Sequence, residues 1–298
     1  MDDYTTHLLK NGYSKTTITH YNKRLLAFTG WLKKQQLEAN QADYKMCLRY
    51  IKHLKRKGIQ APTINNHIIS IRSYFNYQVT KGERSENPLE DVSVKGGVKK
   101  VLHNLLEPEE LEDLYYSYQT ETFSKKANKN AKLIAKRNKV ITGLLVYQGL
   151  NTTNLKSLLL EHLELYKGKI YIPSTLRSNP REMELKSWQV LDLLHYISEI
   201  RPQIAKNNAI ENDQLFIPQT HFNDLIRTGV LKRLKKINHK ITNVNHLRAS
   251  VITNWLKQYN IRKVQYLAGH KHISSTEAYK QNNLENLHEA VNEFHPLS

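Results

Sequence analysis

Three residue types near the C-terminal end of the chain can together do chemistry on a phosphate. The segment Leu267-Ala-Gly-His-Lys-His-Ile-Ser-Ser-Thr-Glu-Ala-Tyr279 carries His270 and Tyr279 on either side of a Ser/Thr-rich stretch. Arg248 lies upstream, within Asn245-His246-Leu247-Arg248-Ala249-Ser250. Tyrosine offers an oxygen nucleophile that can form a covalent phosphotyrosine. Arginine presents a planar fork to two phosphate oxygens and stabilises charge that develops on them. Histidine hydrogen-bonds the phosphate or moves a proton. These three suffice for phosphoryl transfer without a metal, so no cofactor is expected. A random tyrosine is ordinarily a packing or surface residue, and it is the spacing to His270 and Arg248 that favours chemistry here. The bland alternatives are that Arg248 is a structural ion-pair partner, His270 a helix cap, and His246 a satisfied, partly buried histidine. Lys271 and His272 read as contacts to a phosphate backbone or as solvated charge.

The composition points to a polyanionic partner. Among 298 residues, 45 are Lys or Arg and 27 are Asp or Glu, a formal net charge of +18. Such a field attracts nucleic acid and releases its condensed counterions. The 17 tyrosines add hydroxyls that can reach phosphates. A membrane-surface protein would concentrate its charge on one amphipathic helix or tail, whereas here it is spread along the chain. No apolar run is long enough to span a bilayer, and the acidic start lacks a leader pattern, which predicts an intracellular protein. The single cysteine, Cys47, can form neither an internal disulfide nor a cysteine-based zinc site alone and reads as a small helix residue.

The elements that must position these residues fall into two groups. As far as Lys81 the chain reads as all helical. Ser14 caps a helix from Lys15 through Leu32, a second runs from Gln41 to Lys57 and stops at Gly58, and Pro62 opens a third that carries Ile64, Ile68, Ile71, Tyr74 and Phe75. Their opposite faces hold Lys23, Arg24, Lys33, Lys52, Lys55, Arg56, His67 and Arg72, predicted to face DNA rather than only solvent. From Gly82 to Leu106 the periodicity fades into a basic, extended linker. A second group begins at Glu107, with helices over 107–118, 133–147 and 151–160. Leu163 to Leu165, Ile170 to Pro173 and Met183 to Leu185 read as three short strands, with a turn at Ser178-Asn179-Pro180. Further helices are predicted over 188–200, 222–236, 244–257, 261–267 and 284–294, the last with Leu284, Leu287, Ala290, Val291 and Phe294 on one face. The fold class is therefore mainly α with a small antiparallel β-sheet in the C-terminal domain.

These motifs resemble the tyrosine recombinase (phage integrase) family, in which Leu-Gly-His and a Ser/Thr-rich stretch lead to the catalytic tyrosine. Asn245 to Arg248 resembles the family's His-x-Leu-Arg helix. Lys15 to Tyr77 resembles its helical core-binding domain, and Gly149-Leu150-Asn151 its Thr-Gly-Leu-Arg segment. The resemblance spans nearly the whole chain in the expected order. It implies a two-domain, C-shaped DNA clamp: residues 1–84 a SAM-like DNA-binding domain, 85–106 a linker, and 107–298 the catalytic domain. It implies catalytic roles for Tyr279, Arg248 and His270 and no cofactor. It implies a double-stranded DNA partner, a homo-oligomer assembled on DNA with the C-terminal helix docked in trans, although the apolar stripe of that helix by itself fits packing on its own domain equally well, and a cytoplasmic, nucleoid-associated location.

Three positions depart from the family pattern. Asn151 stands where the family has its first catalytic arginine, Leu176 falls near the hairpin lysine, and Asn245 replaces the first histidine of the helix motif. Asn151, Arg177, Arg181, Asn245 and His246 are the candidates for phosphate binding or compensation, while Lys156, Arg137 and His272 have no positional support. Two functions are therefore carried forward. One is an active DNA breaking-and-joining enzyme of a mobile element. The other is an integrase-like DNA-binding accessory or regulatory protein with weakened or lost catalysis. A type IB topoisomerase-like enzyme would share the chemistry, but the N-terminal helices disfavour it.

Overall fold

The computed structural model describes residues 2–96, 104–121 and 129–280. The expected helix over 284–294, residues 97–103 of the expected linker, and residues 122–128 of the polar segment lie outside the described residues. The chain divides into two compact units, Met1–Lys100 and Val101–Ser298.

The first unit is built from four helices, α1 (Asp2–Lys10), α2 (Lys15–Lys33), α3 (Tyr44–Arg56) and α4 (Ala61–Thr80). The Ser14 side chain accepts from the Thr17 N–H to start α2, and Asp43 accepts from the Met46 N–H to start α3. Each cap satisfies a helix-end donor that would otherwise lack a partner. Pro62 fits the first turn of α4, where its missing N–H costs nothing. Leu25, Phe28 and Leu32 of α2 meet Ile64, Ile71 and Phe75 of α4 in one apolar core, with Phe28 edge-on to both Tyr50 and Phe75. Each fully buried side chain of this kind stabilises the fold by about 1.5–3 kcal/mol. Buried Cys47 is part of this core. The sequence starts the first helix at Lys15; α1 precedes it, held by Tyr4 and Leu8, which are buried in the same core. The second helix begins at Tyr44 rather than Gln41, because Asp43 is the better cap and residues 39–41 form a separate 3₁₀ turn.

The predicted basic faces of this unit are only partly free. Lys23, Lys33, Lys52, Lys55 and Arg56 are exposed. Arg24 is half-buried and donates to Ser70 Oγ at 3.3 Å, and His67 Nδ1 lies 3.1 Å from the Tyr50 hydroxyl. Arg72 is engaged internally: its Nε donates to the Leu89 carbonyl at 2.7 Å and its Nη2 to the Val92 carbonyl at 2.6 Å. The Asn65 amide exchanges two hydrogen bonds with the backbone of Val94. Residues 89–94, assigned to the linker by composition, are thus strapped along α4.

The second unit is mainly helical with a three-stranded antiparallel sheet, as the sequence predicts. Its helices are α5 (Pro108–Tyr116), α6 (Lys129–Val146), α7 (Thr152–Ser157), α8 (Ser187–His195), α9 (Arg201–Asn208), α10 (Phe222–Asp224), α11 (Lys232–Ile237), α12 (Val244–Gln258) and α13 (Ile261–Ala268), followed by a short helix α14 over residues 274–280. Strands β1 (Leu163–Glu164), β2 (Lys169–Ile172) and β3 (Arg181–Glu184) lie in that order, with Ile170 opposite Met183 and Ile172 opposite Arg181. On α12, Leu247, Ala249, Ser250 and Ile252 are all buried, so apolar contacts surround it and it forms the middle of the unit. Among the described residues no helix is long and apolar enough to cross a membrane.

Two local expectations are corrected. The helix expected to end at Ile200 continues through a π-helical stretch, Tyr196–Ile200, into α9, with Pro202 in the first turn of α9. Pro202 has no N–H to contribute, and a widened turn before it is one known way for a helix to run on through a proline. The hairpin between β2 and β3 turns at Leu176 and Arg177, where Thr175 pairs with Ser178, rather than at Ser178-Asn179-Pro180. Ser178 and Asn179 are diverted into pairing with another segment, described below.

The strap makes a direct prediction. Arg72→Ala leaves the Leu89 and Val92 carbonyls without their charged donor, and such bonds are worth about 1.5–3 kcal/mol each. Because Arg72 is only half-buried and water can partly replace its bonds, urea denaturation should show a loss of about 2–4 kcal/mol, below the sum of the two. If Arg72 instead served only as a DNA contact, the variant would bind DNA less tightly at unchanged stability.

Candidate active site

The site is assembled around Arg248, which α12 delivers from the middle of the unit. The side-chain amide oxygen of Asn243 accepts from the His246 N–H at 3.1 Å and fixes where α12 begins. Arg248 is only 7% exposed, and its guanidinium joins three stretches of chain. Nη1 donates to the Gly149 carbonyl at 2.6 Å, and Nη2 donates to the Ala268 carbonyl at 2.6 Å. Nη2 also lies 3.2 Å from His270 Nε2. Gly149 can offer its carbonyl because it takes a left-handed conformation (φ 56°) against Val251 and Trp255, where a Cβ would be crowded. Burial draws the Arg248 pKa down, and Tyr279, a hydrogen-bond partner of Arg248, partly restores it.

His270 is set by the end of α13. Gly269 closes that helix in a left-handed conformation (φ 68°), and the His270 N–H bonds back to Gln265. The imidazole then has a partner at each nitrogen: Arg248 at Nε2 and Thr276 Oγ1 at 2.9 Å from Nδ1. A guanidinium can only donate, so these partners assign the Nδ1–H tautomer, with Thr276 accepting. Burial first, and the charges of Arg248 and Arg181 after it, lower the His270 pKa to about 4. The ring is therefore neutral at physiological pH. Tyr279 stacks on it, with ring centroids 5.9 Å apart and an interplanar angle of 7°.

The β2–β3 hairpin closes a third side. Ser178 pairs with His270 in an isolated antiparallel bridge, and the Asn179 N–H donates to the Gly269 carbonyl at 2.9 Å. On the other flank, Asn154 Nδ2 donates to Ser178 Oγ at 3.4 Å. Arg181, at the start of β3, is 2% exposed, and none of its guanidinium nitrogens has a hydrogen-bond partner among the described residues. Burial, then the neighbouring Arg248, pull its pKa down to about 9, which leaves it charged at neutral pH.

A cleft of about 600 Å³ opens between these elements, lined among others by Asn151, Arg177, Ser178, Asn245, Arg248 and His270. Of the expected catalytic and phosphate-binding residues, Asn151, Arg177, Asn245, Arg248 and His270 line this cleft and Tyr279 stacks on His270, whereas Arg181 and His246 are not among its lining residues. Asn151 spends its side-chain oxygen as the cap of α7, accepting from the Asn154 N–H at 2.8 Å. Asn245 and Arg177 are exposed at the cleft, whereas Leu176, 85% exposed, occupies the hairpin tip. His246 is buried and turns away from Asn245, as one step along a helix requires. Arg137 is a core residue bonded to Asn138 and to the Ile217 carbonyl, and Lys156, Lys271 and His272 are exposed. Thr276 and Ser178 were not singled out from the sequence. The only signal for Thr276 is its place in the Ser/Thr-rich stretch.

Comparisons with known proteins agree with this architecture. A family model described as the phage integrase N-terminal SAM-like domain matches residues 1–82, and one described as the phage integrase family matches residues 105–286. The tyrosine recombinase XerD of Listeria monocytogenes serotype 4b (strain F2365) is 27% identical over 97% of this chain and 95% of that protein. The XerD of Oceanobacillus iheyensis is 28% identical over 97% and 95%. Among solved structures, the XerH site-specific recombinase bound to palindromic difH substrate, a post-cleavage complex, superposes with a TM-score of 0.72 at 20% identity, covering 96% of this chain and 84% of that one. A lambda integrase tetramer bound to a Holliday junction gives 0.63 at 13% identity, covering 93% and 75%. At these identities the structural likeness shows a shared fold.

The low His270 pKa fixes the sign of a pH effect. In the unfolded chain the ring binds a proton near its ordinary value of 6.5, whereas in the folded protein it does so only near 4. The unfolded state therefore gains protons first, and stability falls as pH drops from 6.5 towards 4. In His270→Gln the pH dependence of the melting temperature should be flatter across that window. An unchanged slope would show that His270 is not held neutral.

Proposed function

Because this chain belongs to the phage integrase family, whose family model covers well over half of it, we propose that it breaks and rejoins duplex DNA through a phosphotyrosyl bond at Tyr279. The observation that carries this reading is the contiguous set of Arg248, His270 and Tyr279 beside a cleft. The Tyr279 oxygen attacks the scissile phosphorus. The phenol gives up its proton, the P–O bond to the departing strand breaks, and that strand leaves with a free hydroxyl. Attack by a partner strand's hydroxyl reverses the step and releases Tyr279. Bond energy is kept in the phosphotyrosine, so neither ATP nor a metal is called upon. Arg248 takes the non-bridging phosphate oxygens, and its two carbonyl contacts hold the fork in place before DNA arrives. Neutral His270, between Arg248 and Tyr279, hydrogen-bonds the phosphate or moves a proton.

The same reading places duplex DNA against the exposed cations, Lys23, Lys52, Lys55 and Arg56 in the first unit and Lys271 and His272 beside the site. It has several copies assembling on DNA within the nucleoid. Domain limits near residues 84 and 107 fit the two stretches matched by the family models. Asn151 favours the second reading, a DNA-binding accessory with weakened catalysis. An asparagine engaged as a helix cap brings no charge where the family has an arginine.

A suicide-substrate assay decides between the two. Nicked duplexes from the DNA flanking the gene are incubated with the protein, and covalent protein–DNA adducts are read on a denaturing gel. The enzyme reading expects adducts with the native chain and none with Tyr279→Phe. Arg248→Lys, which loses the fork, should lower the yield by roughly 10²–10³-fold. Tight, salt-sensitive binding with no adduct would leave the accessory reading standing.

A further inference from the structure

Arg181 is a buried charge with no hydrogen-bond or ion-pair partner among the described residues. It sits in the second unit at 2% exposure, with Nε, Nη1 and Nη2 all lacking partners among the described residues. Removing an unpaired ion from water costs several kcal/mol, and an apolar side chain of similar volume would be cheaper at a purely structural position. The neighbourhood raises that cost. The adjacent charge is the like-charged Arg248, and Glu182, the next residue along β3, pairs instead with Lys169 on the exposed face. The chain is nevertheless shaped to hold the guanidinium. Any Cβ at position 269 would collide with Arg181 Nη1, so glycine there leaves it room. The Ser178–His270 bridge and the Asn179–Gly269 hydrogen bond fasten β3 to the loop that carries His270. Arg248 lines the cleft, and Arg181 lies behind it, close enough to act on both Arg248 and His270. Among the described residues neither guanidinium has a carboxylate partner, which is the electrostatic form of an empty anion site.

We propose that Arg181 is the second cation of the phosphate site and replaces the charge missing at Asn151. The ligand is a phosphodiester anion, whose charge offsets both Arg181 and Arg248. The clamp of this chain is therefore drawn from α12 and the sheet, whereas residue 151 at the start of α7 serves as a helix cap. This inference rests on the reading that the cleft receives a DNA phosphate, and it adds the group that completes the charge there.

The test uses the full chain and two readouts, the affinity for inorganic phosphate from its effect on the melting temperature, and adduct yield on a nicked duplex. Arg181→Met should melt higher than the native protein in phosphate-free buffer, because an unpaired charge is gone. It should bind phosphate at least about 10-fold more weakly and give roughly 10²-fold less adduct, in the range for loss of one oxyanion donor. Asn151→Arg in the Arg181→Met background should restore phosphate affinity. Unchanged phosphate affinity in Arg181→Met would overturn the proposal. A second variant decides even if the methionine protein does not fold. Asn151→Arg in the native background should raise phosphate affinity by less than about 3-fold, since the second cation is already supplied. A rise of about 10-fold or more would show that it was missing and would overturn the proposal. Phosphate affinity reports on the clamp whether or not Tyr279 reacts. An Arg181-dependent phosphate site with no adduct would therefore sink only the enzyme reading.

Discussion

The site depends on the two hydrogen bonds from Arg248 to the carbonyls of Gly149 and Ala268. They join the loop before α7, the end of α13 and the middle of α12 through one side chain. Each carbonyl is buried, so each needs a donor, and a guanidinium supplies both from a planar group that cannot lose its proton at physiological pH. The fork that would meet a phosphate is thereby oriented before any ligand arrives. The same contacts fix the loop that carries His270, and through its ring the place of Tyr279. A lysine here would keep the charge but could not span both carbonyls with the same rigidity.

Much of this was legible in the sequence because the determinants are local. Ser14, Pro62 and Gly58 mark helix ends by capping and backbone chemistry, and each does so in the structure. The core of α4 follows its apolar periodicity. The clustering of Arg248, His270 and Tyr279 could be expected from residue types and spacing together with the family resemblance. What could not be foreseen depends on distant partners. Arg72 reads as one more cation on a basic face, and only the fold shows that it is spent on Leu89 and Val92. The hairpin tip is displaced to Leu176 because Ser178 and Asn179 pair with residues some ninety positions away. A propensity for turns cannot register that competition. Thr276 and the isolation of Arg181 are equally invisible without the packing.

The departures from the family pattern differ in their structural setting. Asn151 is not a vacancy, since its oxygen holds the first turn of α7 in place. Asn245 lies exposed at the cleft, so a neutral amide there costs little, while His246 is turned into the protein. The buried positive charge near His270 comes from Arg248 of α12 and Arg181 at the start of β3, whereas position 151, where the family carries its first arginine, contributes none.

The hydroxyl of Thr276 has a consequence for how protons move. It is buried, yet it can both accept and donate, and so it serves His270 Nδ1 in either of the ring's neutral forms. Once a phosphate accepts the Arg248 N–H that faces Nε2, one proton can bind Nε2 as another leaves Nδ1, while the Thr276 hydroxyl turns about its own C–O bond to donate to Nδ1. The ring then has no need to flip, and its stacking on Tyr279 is preserved. The reorganisation is confined to hydrogen atoms, in a pocket where turning a heavier group would disturb the packing around it.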